Sequence, residues 1–351
     1  MFSTYKKSDV TLLLKDITGL VSPLPSEVRE PLIQAGVHYS EMLPLEYAPS
    51  DDYMYVYKEA LEAFASETAH AVGGLAKKVY ETKGSDITLV SLARAGISIG
   101  VLLKRYLERY FECEVKHYAI SIIRGKGIDT QALNHVLETT QRSSIQFVDG
   151  WTGKGAIQSE LKKALADYPG IDNRLGVLSD PANVTPLCGT KDDILIPSSC
   201  LNATISGLIS RTFYRDDIIG PSDYHGAAFY DELADEDLTY DFIERIESEF
   251  VPINDGNEKS VHNDGLSGTE EALSIAERFK VKSVNLVKPG IGETTRVLLR
   301  RVPWKVLVYS LDDNMHLGQI YQLAKERGVS VEVYPLQNYR ACGIIKEMAD
   351  N

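Results

Sequence analysis

A chain of 351 residues, at about 150 residues per domain, has room for two domains and for a core that needs no disulfide or metal staple. Its 37 Lys and Arg against 50 Asp and Glu give a net charge of −13, which disfavours sequence-independent binding of the whole chain to nucleic-acid backbones or anionic membranes. With 44% hydrophobic and 25% charged residues the composition is that of a globular protein, and wholesale disorder is excluded.

Residues 1–50 carry Pro23, Pro25, Pro31, Pro44 and Pro49, which break any long helix, and they read as an extension wrapped over a neighbouring core. The only apolar run near the start, Leu12-Leu13-Leu14, is too short for a secretory or membrane segment. Cys113, Cys188, Cys200 and Cys342 form no C-x-x-C pair, so a reducing, cytoplasmic setting is expected. From Tyr55 to about Thr82 the spacing of Val56, Leu61, Phe64, Ala69, Val72, Leu75 and Val79 predicts one long amphipathic helix.

The rhythm then changes to strand, turn and helix. Strands are expected at Ile87–Val90, Val115–Ile123, Ser144–Val148, Arg174–Leu178 and Ile194–Ile196, with helices at Ile97–Phe111 and Ala156–Tyr168. This is the spacing of an α/β fold on a mostly parallel, twisted sheet. Asp216–Phe250 holds twelve acidic residues against one basic, Arg245, with apolar residues interleaved, and reads as a helix with a solvated acidic face. Pro252–Gly268, rich in Asn, Asp, Ser and Gly, is the strongest linker signal. Beyond it, helices at Thr269–Phe279, Glu293–Arg301 and Met315–Arg327 alternate with strands at Ser283–Val287, Lys305–Ser310 and Val329–Val333, a second, smaller α/β domain. The expected division is an extension at 1–50, a larger domain at 51–250, a linker at 251–275 and a small domain at 276–351.

The most informative segment is Ile145-Gln146-Phe147-Val148-Asp149-Gly150-Trp151-Thr152-Gly153-Lys154-Gly155. An apolar strand delivers a carboxylate at its C-terminal edge, and a Thr/Gly/Lys/Gly turn then opens a helix, which aims backbone N–H groups at a phosphate. In open α/β sheets such a site lies at the carboxyl ends of the strands. Neither the Walker spacing nor G-x-G-x-x-G is present, which disfavours nucleoside triphosphates and dinucleotides. The structural alternative is a plain strand-to-helix turn with an Asp cap. Arg94, at a helix start, is unfavourable against the helix dipole unless an anion is bound.

These elements resemble the type I phosphoribosyltransferases. Asp149–Gly155 is similar to their phosphoribosyl-pyrophosphate loop, with Gly150 where a second acid is usual. Ala93-Arg94-Ala95-Gly96 is similar to their pyrophosphate loop, and Arg124-Gly125-Lys126-Gly127 between the two has the character of a mobile hood. The chain as a whole resembles the transferase of bacterial tellurium-resistance-associated stress operons, a family also labelled StiP-type cysteine protease.

The resemblance implies a pentosyltransferase fold and activity with phosphoribosyl pyrophosphate, a small base-like acceptor and Mg²⁺. Asp149 and Arg94 would be catalytic, and Ala93, Arg94, Ala95, Gly96, Arg124, Lys126, Gly150, Thr152, Gly153, Lys154 and Gly155 would bind substrate. Mg²⁺ would be held through ligand oxygens, with Asp149 as an additional contact. Ser198, Ser199, Asn202 and Ser206 would line an acceptor pocket. Two other readings stand beside this one: a degenerate fold acting as ligand sensor or RNA-linked adaptor, and a cysteine protease using Cys200 with His225, His117 or Asp180 as partners.

In the last domain, Lys288-Pro289-Gly290-Ile291-Gly292-Glu293-Thr294-Thr295-Arg296 resembles the turn by which pelota and L7Ae-like domains contact RNA. Lys288, Gly290, Gly292, Glu293, Thr294 and Arg296 are the candidate RNA residues it implies, and other stress-operon proteins are implied as partners. The charge is split in the same sense, because residues 281–351 hold ten Lys or Arg against seven Asp or Glu.

Overall fold

Ser50 starts the longest helix of the chain by accepting a hydrogen bond from the Tyr53 N–H, with Asp51 and Asp52 in the first turn; Gly84, at φ +72°, follows its end. A computed structural model describes residues 2–46, 48–253 and 266–347, and helices are numbered within it in chain order: α1 (Ser26–Gln34), α2 (Asp51–Lys83), α3 (Ala95–Tyr110), α4 (Thr130–Thr139), α5 (Ala156–Ala164), α6 (Thr239–Glu247), α7 (Gly268–Arg278), α8 (Ile291–Arg300) and α9 (Asn314–Glu326). Residues 254–265 of the expected linker lie outside the described residues, and its last part is the start of α7.

Six strands form the first sheet, in the spatial order Thr11–Leu12, Val115–Ile120, Ile87–Leu92, Ile145–Trp151, Gly176–Ser179, Cys188–Thr190, and every pairing is parallel. Ile87–Leu92 is buried along its whole length and Ile145–Trp151 through Val148, as expected of central strands covered on both faces. Phe64, Val72 and Leu75 of α2 and Ile97, Leu102 and Leu103 of α3 are at most 1% exposed, and each such side chain contributes about 1.5–3 kcal/mol of burial.

The second sheet has the order Val287–Pro289, Ala341–Ile345, Pro303–Val308, Ser330–Val333, antiparallel except for its last pair. α7 packs on it through Ala272, Ile275 and Ala276, and its N-terminus carries a reciprocal Ser267/Glu270 capping box. The chain is thus mixed α/β, with a parallel six-stranded sheet and a smaller second domain.

Several expectations change. Ile194–Ile196 is not a strand, because Pro197 turns the chain into a 3₁₀ turn at Pro197–Cys200, and the sheet edge is Cys188–Thr190 instead. Val115–Ile123 ends at Ile120, and Ile122–Ile123 forms a separate hairpin with Gly127–Ile128. The acidic 216–250 segment is helical only at α6, with a 3₁₀ stretch at Asp231–Glu236. Among the described residues no helix is long and apolar enough to cross a membrane.

Candidate functional site: a cationic cleft between the two sheets

The central strand Ile145–Trp151 ends at the carboxyl edge of the first sheet, and Gly155, at φ +77°, lets the chain turn into α5. A Cβ on Gly155 would come within 2.8 Å of Val184. The turn is held from beneath by Asp180, which is fully buried and accepts from Thr152 Oγ1 at 2.6 Å, Lys191 Nζ at 2.6 Å and the Thr185 N–H at 3.0 Å. The sequence alone offers Asp180 only as a protease partner. Its position after the strand Gly176–Ser179 was the available signal for a role under the turn.

The second domain lies directly over this turn. Tyr339 Oη donates to the Gly153 carbonyl at 2.6 Å, Lys154 Nζ donates to the Val284 carbonyl, and Thr269 Oγ1 donates to the Lys154 carbonyl at 3.0 Å. Arg296 sits 4.3 Å over the Trp151 ring, and Gly292 approaches so closely that a Cβ there would meet Trp151 at 2.4 Å. Asp193, deeply buried, accepts from the Ile291 N–H at the start of α8 and from the Arg340 N–H, so it ties the first sheet's last loop to the second domain. Burial pushes the Asp193 carboxyl up to about 6, even though Arg340 and these N–H groups favour its charge.

Between the two lies a cleft of about 960 Å³. Seven cations line it, Arg124, Lys154, Arg211, Lys282, Lys288, Arg296 and Arg301, against three carboxylates, Asp149, Glu293 and Glu347. Burial, reinforced by Lys288 and Arg124, brings Lys154 down to about 7, and burial brings Lys288 down to about 8. Burial pushes Asp149 up to about 6, against the Gly150 N–H that donates to it at 2.8 Å. For Glu293, burial is outweighed by Arg296, Lys288 and Lys154, and its carboxyl is held below the usual range.

The candidate residues are therefore sorted by the fold. Asp149, Thr152, Gly153, Lys154, Gly155, Arg124, Lys288, Glu293 and Arg296 line one cleft. Ala93, Ala95, Gly96 and Gly150 do not line it, although Gly96 packs against Asp149. Gly290 and Gly292 are buried in the domain contact, and Thr294 is buried inside the second domain against Gly343, so none of the three is presented to solvent.

Arg94 does not face a ligand: it donates to Glu46 Oε1 at 2.7 Å and to the Ile209 carbonyl at 2.6 Å, and is 8% exposed. The expected hood is pinned, with the Arg124 N–H donating to Tyr39 Oη, the Gly125 N–H to Glu160, and Lys126 paired with Glu41 at 2.9 Å. The expected acceptor pocket does not form around Ser198, Ser199, Asn202 and Ser206: Ser199 and Ser206 are buried, Asn202 Oδ1 accepts from Arg300, and none of the four lines the cleft. Among the described residues no group of three or more His, Cys, Asp or Glu could hold a metal ion; Glu293 is the carboxylate whose charge is felt at Asp149, and no step through Mg²⁺ follows.

Cys200 is 0% exposed, and burial pushes its thiol up to about 12. None of the partners weighed for it is engaged with it: His225 Nδ1 pairs with Ser121 Oγ, His117 with Ser91 Oγ and the Asp9 carbonyl, and Asp180 with the turn above. The other three cysteines are buried as well.

Comparison with known proteins bears on these geometries. The family described as "Tellurite-like stress resistance cysteine protease StiP" matches residues 3–247, and the PELOTA RNA binding domain matches residues 266–347. A protein of Acinetobacter baylyi named "Cysteine protease StiP" is 34% identical over 367 aligned positions, covering 98% of this chain and 94% of that one. No solved structure matches.

These descriptions overturn the pentosyltransferase expectation: the matching family and relative are named for cysteine-protease activity, and phosphoribosyl pyrophosphate and a base-like acceptor find no support in them. The physical reason the turn misled is that a strand-end Gly/Lys loop answers to any anion. With a family match over most of its length and a relative similar from end to end, the chain belongs to the StiP family of tellurite-like stress resistance proteins and carries a PELOTA RNA-binding domain at residues 266–347.

Proposed function

We propose that the cleft binds the phosphates of a single-stranded RNA segment, so that the chain acts as an RNA-linked adaptor in a stress response. The observation that carries this reading is the excess of seven cations over three carboxylates in one cleft of a chain whose net charge is −13. The second domain, whose family description is RNA binding, contributes Lys288, Arg296 and Arg301 to it. A volume of about 960 Å³ suits a few nucleotides and not a duplex.

Fluorescence anisotropy with a labelled single-stranded RNA of about eight nucleotides tests this. Each phosphate contact contributes about −0.7 to the slope of log K against log salt for a single strand, so Lys288→Gln with Arg296→Gln should flatten the slope by about 1.4. An unchanged slope sinks the reading.

Acidification should strengthen binding. Lys154, at about 7, gains its positive charge as pH falls, and Asp149, at about 6, loses its negative one, so both changes favour an anionic ligand. Affinity measured between pH 8 and pH 6 should rise by up to about tenfold per unit while Lys154 is titrating. Lys154→Met should abolish the part of that rise centred near pH 7.

A second reading is favoured by the family description and the named relative: a cysteine protease with Cys200 as nucleophile. It requires the thiol to leave its present surroundings and meet a base, since activation needs both exposure and a proton acceptor.

A further inference from the structure

Behind one wall of the cleft, five arginines gather around two carboxylates. Arg301 donates to Glu30 at 2.5 and 2.9 Å, and Arg94 pairs with Glu46. Arg300 donates to Asn202 Oδ1 and the Leu201 carbonyl. Two guanidinium groups remain. Arg29 is 1% exposed, and among the described residues its Nε and Nη2 have no partner. Arg211 lines the cleft 4.5 Å over the Tyr39 ring, and among the described residues its guanidinium has no hydrogen-bond acceptor or carboxylate.

An unpaired buried cation such as Arg29 is costly, by more than the roughly 1–3 kcal/mol of a neutral unsatisfied group, whereas Arg211 is half-buried at the cleft surface. The surplus is also felt at Arg211, where burial and then Arg29 are the largest influences and bring its pKa down to about 9. Pro31 and Ile33 of α1, two and four residues beyond Arg29, line the cleft together with Arg211 and Arg301, so the surplus charge stands at the cleft wall and not in a separate core.

We propose that this end of the cleft is a built site for a phosphate monoester, with Arg211 as its principal contact and Arg29 and Arg301 supplying charge behind it. The proposal rests on the RNA reading of the cleft and narrows it to a strand that ends in a phosphate. Five arginines against two carboxylates leave three surplus charges, two of them on guanidinium groups with unmet donors, which suits a group carrying about −1.5 to −2 at neutral pH, and a guanidinium fork matches its oxygens in pairs. The bridging phosphates of the strand, each singly charged, would lie toward Lys288, Lys154 and Arg296.

The test uses the full chain, inorganic phosphate and three RNA strands of about eight nucleotides, one with a 5′-phosphate, one with a 3′-phosphate and one with hydroxyls at both ends. Phosphate, compared with chloride at equal ionic strength, is expected to raise the melting temperature, and Arg211→Gln to remove that rise while melting no lower than the parent in chloride, because it relieves like-charge repulsion. One phosphorylated strand is expected to bind about tenfold tighter than the hydroxyl strand, an advantage lost in Arg211→Gln.

Arg211→Lys keeps the charge without the fork and should recover part of the phosphate response. A phosphate response undiminished in Arg211→Gln, no response in the parent, or equal binding of all three strands overturns the proposal. Phosphate binding through Arg211 with no binding of any strand keeps the anion site and removes the RNA reading instead.

Discussion

Replacing Glu46 with Ala is expected to lower the unfolding free energy by about 3–5 kcal/mol in urea denaturation, because it strands buried cations. The Glu46 side chain is 1% exposed and that of Arg94 is 6%. Its Oε1 accepts from Arg94 at 2.7 Å, and its Oε2 accepts from the Ala203 N–H at 2.7 Å. Arg300 is a further charge on the same carboxylate, and without Glu46 it and Arg94 would face each other uncompensated.

Burial pushes the Glu46 carboxyl up, but Arg94 and Arg300 outweigh burial and hold it below its usual 4.5. A lowered folded-state pKa means that this contribution is complete above the unfolded-state value and is lost as pH falls through the folded one. Glu46→Ala should therefore lack that part of the acid-induced loss. A double substitution, Glu46→Leu with Arg94→Met, should be more stable than Glu46→Ala alone, since it removes the charge that the single variant strands. If Glu46→Ala changes stability by less than about 1 kcal/mol, the Glu46 carboxylate does not compensate Arg94 and Arg300 as a buried ion pair.

Arg94 also shows what local sequence reading can and cannot reach. A cation at the start of α3 is unfavourable against the helix dipole unless an anion is near, and the sequence reading takes that anion to be a bound ligand. The anion is Glu46, 48 positions earlier in the chain, and nothing in the pattern around Arg94 names it. The strand Ile145–Trp151 and the turn behind it were legible because an apolar run and a Gly/Lys loop are local features.

The orientation of Lys288–Arg296 was not legible. Its motif is local, but whether it faces solvent or the first domain depends on Trp151, Asp193 and Tyr339, which are remote in sequence. The strand Ala341–Ile345 was missed for another reason. It is fully buried in the middle of its sheet and therefore lacks alternation, and Cys342 and Gly343 dilute its β-branched signature. Arg29 and Arg211 escaped notice because a lone arginine in a sequence is ordinarily a solvated one.

Iodoacetamide should leave Cys200 unlabelled in the native protein at pH 8 and label it readily in urea, with mass spectrometry of peptides as the readout. Two effects multiply. Burial pushes the Cys200 thiol from an ordinary 9.0 to about 12, which alone reduces the thiolate fraction about a thousandfold. The side chain is also 0% exposed, so the reagent must wait for an opening of the structure. Cys342, pushed to about 12 by burial, and the buried Cys113 and Cys188 should be protected as well. The same experiment separates the two functional readings. If Cys200 is modified in the native state as fast as in urea, or if adding a peptide substrate or RNA accelerates its modification, then the thiol is reached by a rearrangement and the protease reading gains its nucleophile. Protection unchanged by either addition, together with peptide cleavage that survives Cys200→Ala, would remove Cys200 from any catalytic role and leave the cationic cleft as the working site.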